Sequence, residues 1–171
     1  PDLSFAVSYL ATFFNDATDE EYEMELKALL YLKGTFDLML PLGGEVSNEE
    51  VLLEIFSDAD WAQDPKDRRS VEGFVLKLND SVIGWSCKKL MGLQSLSSTE
   101  SEFVQLTNAV IEILWVKPQV ESIMNEKVRV KILEDNMAVI SIIAKGNFRG
   151  KTKHLDVKVK FLGEAVVQNG Y

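Results

Sequence analysis

Apolar side chains recur with a helical period along the first 42 residues. Thr18 and Glu21 have the spacing of a capping box and predict the start of a second helix, which Lys33-Gly34 would end. We therefore expect a pair of helices over 1–42, followed by a linker in the polar, glycine-containing run 43–50. The two apolar stripes consist of Phe5, Ala6, Tyr9, Leu10, Phe13 and Phe14, and of Tyr22, Leu26, Leu29 and Leu30.

From residue 51 onward, short strand-like runs with a period of two appear between helical segments. A short Asn79-Asp80 turn predicts that the second and third strands form a hairpin, and Lys117-Pro118 is expected to break or kink the first helix of this region. The order β-β-β-α-β-α-α predicts an α/β fold with a mixed sheet that begins as an antiparallel meander. The predicted strands are 51–56, 71–78, 82–87 and 128–133, and the predicted helices begin near 99, 136 and 153.

Three acidic residues lie where predicted elements begin or end. Asp58 follows the first strand, with Asp60 in the next turn, and Asp135 follows the fourth strand. If the first and fourth strands pair side by side in parallel, Asp58 and Asp135 come together at their carboxyl ends. In open α/β sheets, ligands bind at this edge. Glu102 lies in the first turn of the intervening helix and can face inward, while Glu100, rotated by roughly 200°, would face away.

Two interpretations of these acids remain open on spacing alone. Thr99 and Glu102 also have capping-box spacing, so Glu102 could serve only its own helix. Alternatively, clustered carboxylates repel one another, and a bound divalent cation removes that repulsion. Oxygen-only ligands suit Mg²⁺, and two such ions about 4 Å apart can promote phosphodiester cleavage. Since any α/β domain carries acids at strand ends, the metal site is one hypothesis among several.

Composition and charge narrow the classes of function. The net charge of −9 argues against a general nucleic-acid binder. The single cysteine, Cys87, excludes an internal disulfide and favours an intracellular protein, and no stretch is typical of a membrane span. Basic residues nevertheless concentrate in 145–160. This basic strip is either a solvated face or a surface that contacts phosphates. Its basic residues are Lys145, Arg149, Lys151, Lys153, Lys158 and Lys160, against Asp156 alone.

Several motifs occur in the order and at the intervals of one family. The stretch FSDADWAQDPKDRRSVEGFVLKLNDSVIGWSCKK, then LSSTESEF and LEDNMAVISI, resembles the RNase H domain of copia-type LTR retrotransposon Pol polyproteins. GKTKHLDVKVKF resembles the basic, histidine-containing segment of that family. Residues 1–42 resemble the end of the reverse transcriptase that precedes RNase H. The similarity covers nearly the whole chain, which makes it far more specific than one short motif.

The resemblance implies an RNase H-like fold over 51–171, a linker at 43–50, and a helical reverse transcriptase segment at 1–42. It implies that Asp58, Glu102 and Asp135 are catalytic metal ligands for Mg²⁺, with Mn²⁺ as an alternative. The implied partners are an RNA–DNA hybrid and the remainder of the Pol polyprotein, including the upstream reverse transcriptase, in the cytoplasm, a virus-like particle or the nucleus. The residues expected at the hybrid backbone are Lys145, Arg149, Lys151, Lys153 and His154.

The sequence also departs from the family pattern. The family has a fourth carboxylate in an Ala-Asp motif after a further strand, and this chain ends at Tyr171 before either, so we expect a C-terminally incomplete five-stranded type of sheet. Val159 and Gly163 stand where the family usually has an aromatic residue and an arginine. These departures leave two alternatives open: a degenerate or co-opted RNase H-fold module that binds nucleic acid or a partner without cutting, or a different nuclease of the same fold.

Overall fold

The computed structural model describes residues 1–43, 51–60, 70–89, 98–145 and 153–169. From residue 51 the elements follow the predicted order, and the two predicted helices precede them. The helices are α1 (Ser4–Ala11), α2 (Asp19–Gly34), α3 (Ser98–Met124), α4 (Met137–Lys145) and α5 (Lys153–Asn169), and the strands are β1 (Val51–Asp60), β2 (Val71–Leu78), β3 (Ser81–Lys89) and β4 (Val128–Leu133). No helix within these ranges is long and apolar enough to cross a membrane.

The described strands form a four-stranded sheet in the order β3-β2-β1-β4. β1, β2 and β3 pair antiparallel in sequence order, and β4 pairs parallel with β1. Asn79 and Asp80 both have positive φ, of 46° and 67°, as a two-residue hairpin turn requires. The Asn79 Oδ1 also accepts a hydrogen bond of 2.8 Å from the Leu52 N–H. The predicted α/β class, mixed sheet and antiparallel meander are confirmed.

Helix α3 lies at the centre of the core because it buries two faces. One face packs on the sheet, where alternate residues of β1 point inward. The adjoining face, about 100° further around the helix, packs against α4 and α5. The sheet-side cluster includes Val51, Leu53, Ile55, Leu76, Ala109, Ile113 and Val130, and the helix-side cluster includes Phe103, Leu106, Val110, Val139, Val159 and Leu162.

Among the boundary predictions, the break at Pro118 and the end of the first strand at Phe56 were wrong. Helix α3 does not end at Pro118 but continues to Met124. Pro118 is exposed, so a carbonyl left without its helical partner can reach water, and buried Val120 holds the following turn against the core. Strand β1 does not end at Phe56 but runs to Asp60, because it continues to pair with β2 as far as Asp60↔Val71.

Candidate metal centre

Strand β1 extends beyond the part that pairs with β4. The parallel pairing ends at Phe56↔Leu133, whereas β1 continues along β2 to Asp60. Asp58 lies on this extension, and Asp135 follows the end of β4; both residues are exposed. The two acids therefore meet at the carboxyl edge of neighbouring parallel strands, where the sequence led us to expect them.

Glu102 connects the start of α3 to the extended part of β1. Helix α3 begins at Ser98, so Thr99 lies inside the helix rather than at its cap. The Ala59 N–H donates a hydrogen bond of 3.1 Å to the Glu102 Oε2, and the Glu102 side chain is 7% exposed. The carboxylate is therefore bound to the strand, and the capping interpretation of Glu102 is wrong.

The three carboxylates converge on one place. Asp58, Glu102 and Asp135 each offer one oxygen, and these oxygens all lie within 4.8 Å of one another. Burial, together with the negative charges of Glu134, Asp58 and Asp135, raises the pKa of Glu102 to about 7, although the Ala59 N–H lowers it. The cluster thus combines strand, helix and loop acids whose mutual repulsion a cation would relieve.

On sequence alone Glu134 is either a solvated neighbour of Asp135 or a group that supports the metal ligands, and its contacts are those of a supporting group. Its Oε2 accepts a hydrogen bond of 3.0 Å from the Ser57 hydroxyl, and its Oε1 accepts one of 3.0 Å from the Asn136 N–H. Burial raises the pKa of Glu134, while these two donors lower it. Glu134 therefore ties the end of β4 to β1 and holds the short segment that carries Asp135. The sequence did contain a sign of this contact, because Ser57 is a polar residue on the inward, otherwise apolar face of β1 and needs a hydrogen-bond partner there.

Glu100 is also buried. On sequence alone Glu100 faces away from the site, either as a solvated neighbour or as a group that supports the ligands, and in the structure it is 8% exposed. Helix α5 packs against α3, and the negative charge of Glu100 acts to raise the pKa of Lys158 on α5. This burial depends on a helix that lies far away in the sequence, so the local helical pattern could not reveal it.

The basic strip is described only in part. Lys145 ends α4 and is exposed, and Lys153 and His154 open α5. Arg149 and Lys151, together with the side chains of Lys153 and His154, lie outside the described residues. The contact of this strip with a nucleic-acid backbone therefore stays a prediction.

Comparison with known proteins identifies the family. No family model matches the chain. A secreted RxLR effector protein, number 161, of Plasmopara viticola is 36% identical over 118 residues, covering 68% of this chain and 79% of that protein. The retrovirus-related Pol polyprotein from transposon RE2 of Arabidopsis thaliana is 31% identical over 169 residues, or 97% of this chain. The chain belongs to the retrovirus-related Pol polyproteins of transposons.

Within this Pol family, the chain represents a small part of the whole polyprotein. It spans 11% of the length of the RE2 polyprotein. Among solved structures, LC11-RNase H1, isolated from compost by a metagenomic approach, is similar with a TM-score of 0.47 and 14% sequence identity, over 68% of this chain and 76% of that chain.

Proposed function

We propose that this segment of a Pol polyprotein is an RNase H-like domain that cleaves the RNA strand of an RNA–DNA hybrid. The observation that carries the proposal is the convergence of Asp58, Glu102 and Asp135, whose oxygens lie within 4.8 Å of one another although they come from different elements. A hybrid has a phosphodiester backbone, and hydrolysis of such a backbone is a reaction that divalent cations held by clustered carboxylates support.

The donor set fits a hard divalent cation. All three side chains present carboxylate oxygens, which are the ligands that Mg²⁺ and Mn²⁺ prefer. The raised pKa of Glu102 reflects the crowding of negative charge that a cation would offset. Asp58, Glu102 and Asp135 would hold the cation, which when bound supplies Lewis-acid activation of water and stabilisation of the leaving oxygen.

The chain itself contributes positioning of the ligands. The Ala59 N–H keeps one Glu102 oxygen at the strand, and Glu134 binds the Asn136 N–H and so fixes the segment that carries Asp135. Glu102 must be ionised to bind a cation. Because its pKa is about 7, a proton competes with the cation for this carboxylate near neutral pH. Lys145 and the start of α5 would approach the hybrid through its phosphates, a contact that is independent of base sequence.

A second candidate is a non-catalytic module of the same fold. Val159, which stands where the family usually has an aromatic residue, is 3% exposed and serves the core. Gly163, at the position of the family arginine, has no side chain to offer a substrate. Together with the net charge of −9, these two positions favour a domain that keeps the fold and binds without cutting.

We also propose that residues 1–42 are the end of a reverse transcriptase and pack against the polyprotein chain that precedes them. α1 and α2 expose large apolar side chains, including Phe14 at 88% and Leu29 at 54%. A groove of about 540 Å³ runs between these helices and is lined mainly by apolar residues. Exposed apolar patches of this kind mark interaction sites. Coexpression with the upstream segment should give a complex that Phe14→Lys disrupts; an unchanged complex would contradict the assignment.

The nuclease proposal is tested with a hybrid whose RNA strand carries a 5′ label. The wild-type chain should cleave it when Mg²⁺ or Mn²⁺ is present, and Asp135→Asn should abolish cleavage. Asp37→Asn, the same substitution at an exposed residue outside the site, is the matched control and should cleave like wild type. Hybrid binding without cleavage in the wild-type chain would instead favour the non-catalytic module.

A further inference from the structure

A buried glutamine joins helix α3 to the strand beside the metal centre. Gln105 is 1% exposed, and its Nε2 donates a hydrogen bond of 2.7 Å to the Gly73 carbonyl on β2. It lies on the sheet-facing stripe of α3, which Ala109 and Ile113 continue with apolar, fully buried side chains. Burial of an amide costs desolvation that an apolar side chain would not incur. The hydrogen bond is therefore what distinguishes Gln105 from its apolar neighbours.

The Gly73 carbonyl also belongs to the strand pair that carries Asp58. Asp58 and Gly73 are register partners. Where this ladder begins, beside the hairpin turn, the Asn79 N–H donates to the Leu52 carbonyl at 2.9 Å. Hydrogen-bonded pairs recur at every second residue of an antiparallel ladder, so the same parity makes Asp58↔Gly73 a hydrogen-bonded pair. A carbonyl oxygen can accept two hydrogen bonds, and Gly73 thus accepts one from Asp58 and one from Gln105.

The next residue of β1 bonds in the opposite direction. By the same alternation, the Ala59 N–H faces the other edge of β1, beyond the end of the pairing with β4, and there it donates to Glu102 at 3.1 Å. Glu102 lies about one helical turn before Gln105 on α3. Consecutive turns of α3 are thus attached to consecutive residues of β1, one directly through Ala59 and the next through Gly73 to Asp58.

Asn108 adds a second contact between α3 and β2. Its Nδ2 donates a hydrogen bond of 2.9 Å to the Oε2 of Glu72, which is 2% exposed and is the register partner of Ala59. The Lys88 Nζ lies 3.3 Å from the other oxygen of Glu72 and offsets part of this buried charge. Gln105 and Asn108 therefore bind neighbouring residues of β2 and oppose sliding of α3 along the strand. The contact of Gln105 leads directly to the backbone of a proposed metal ligand.

We propose that Gln105 is a positioning residue that sets the separation of the Asp58 and Glu102 carboxylates and thereby favours Mg²⁺ over larger divalent cations. The selectivity for Mg²⁺ rests on the proposed function, whereas the positioning of the two side chains does not. Mg²⁺ requires near-ideal octahedral geometry with short bonds to oxygen, while Ca²⁺ accepts longer bonds and more varied geometry. A helix that can shift against β1 should therefore lose more affinity for Mg²⁺ than for Ca²⁺.

Gln105→Met tests the positioning in the whole chain without metal. The substitution nearly conserves volume and charge, and the Gly73 carbonyl keeps its bond from Asp58, so the fold should persist. Hydrogen exchange at the Ala59 amide, measured by NMR, should accelerate by about fivefold relative to exchange at Ile55, which reports opening of β1 where it pairs with β4. Gln105→Asn, whose shorter amide does not reach Gly73, should have the same effect without adding an apolar group. An unchanged Ala59 amide, or equal acceleration at Ala59 and Ile55, would overturn the proposal.

Cation selectivity gives a readout that a general loss of stability would not change. Isothermal titration calorimetry with Mg²⁺ and with Ca²⁺ measures the ratio of the two dissociation constants. In Gln105→Met the preference for Mg²⁺ should fall by about fivefold or more. Both side chains are uncharged, so a change in electrostatic attraction cannot produce this shift. A ratio that stays at the wild-type value would contradict the assigned role in selectivity.

Thr107→Val is the matched control. Thr107 is buried on the same helix, and its hydroxyl donates to the Phe103 carbonyl at 2.6 Å, within α3 itself. Valine has nearly the same shape, so a buried hydrogen bond is lost while the contacts with β2 stay in place. The relative exchange at Ala59 and the selectivity ratio should both keep their wild-type values. Equal effects of Thr107→Val and Gln105→Met would rule out a specific positioning role.

Failure of this inference and failure of the proposed function give different results. If the wild-type chain neither binds Mg²⁺ nor cuts a hybrid but Ala59 responds to Gln105→Met, the proposed function fails and the positioning role stands. If the wild-type chain binds Mg²⁺ and cuts a hybrid but Gln105→Met changes neither the exchange nor the selectivity, the positioning role fails and the proposed function stands.

Discussion

Glu102 combines burial, a hydrogen bond to β1 and neighbouring negative charge in one side chain. Its raised pKa of about 7 means that the folded chain keeps a proton that the unfolded chain, with a value near 4.5, releases. Between these two values the folded state binds more protons, so the contribution of Glu102 to stability falls as pH rises. The contribution is present below about pH 4.5 and is lost as pH rises through about 7.

Glu102→Gln should therefore stabilise the metal-free chain at pH 8. The amide oxygen can still accept the Ala59 N–H, but the buried charge is gone. Because the site opens to solvent at Asp58, we expect a gain of about 1 kcal/mol, or roughly 2–4 °C in melting temperature, and almost no gain at pH 5. Thermal unfolding at both pH values checks this, with exposed Glu126→Gln as control. A gain that is equal at pH 5 and pH 8 would contradict the assigned cause.

At the scale of elements, local patterns were sufficient for the parts of the site that depend on strand order and helical rotation. Asp58 and Asp135 come together because β1 and β4 are parallel neighbours, and Glu102 follows from its position one turn before Leu106. The full length of β1 could not be predicted, because polar residues such as Asp58 are typical of turns and only pairing with β2 makes this stretch a strand. The burial of Glu100 required α5, which is distant in sequence.

Helix α5 contains a glycine whose replacement should stabilise the fold. A Cβ at Gly163 would meet nothing within 4 Å, and the residue lies inside the helix. Gly163→Ala should raise the free energy of unfolding by about 0.5–1 kcal/mol, since glycine has the lower helix propensity. Urea denaturation measures this change. Gly34→Ala, at the last residue of α2, should give a smaller gain, and destabilisation by Gly163→Ala would mean that α5 packs more tightly there than described.

At the scale of the whole molecule, an acidic chain must approach an acidic substrate. The net charge of −9 makes any binding of a hybrid depend on a local basic surface, for which we propose Lys145 and the start of α5. The contribution of Arg149 and Lys151 to this surface stays a prediction, since both lie outside the described residues.

Salt dependence tests this surface. Replacing Lys145 and Lys153 together by alanine should weaken hybrid binding for all base sequences and lower the slope of log K against log salt by roughly two. Replacing Lys27 and Lys33, which are exposed on α2, changes the net charge equally and should leave the slope nearly unchanged. Fluorescence anisotropy with a labelled hybrid at several salt concentrations measures the affinity and the salt slope of each double variant. Equal slopes for the two double variants would place the hybrid elsewhere.

The central claim is that Asp58, Glu102 and Asp135 form one divalent-cation site, and a Mn²⁺ titration followed by electron paramagnetic resonance at pH 8 tests it most directly. The wild-type chain should show saturable binding that Mg²⁺ displaces. Asp58→Asn and Asp135→Asn should each weaken binding by roughly tenfold or more, while Asp37→Asn should not. Wild-type binding no tighter than that of Asp58→Asn or Asp135→Asn would contradict the claim.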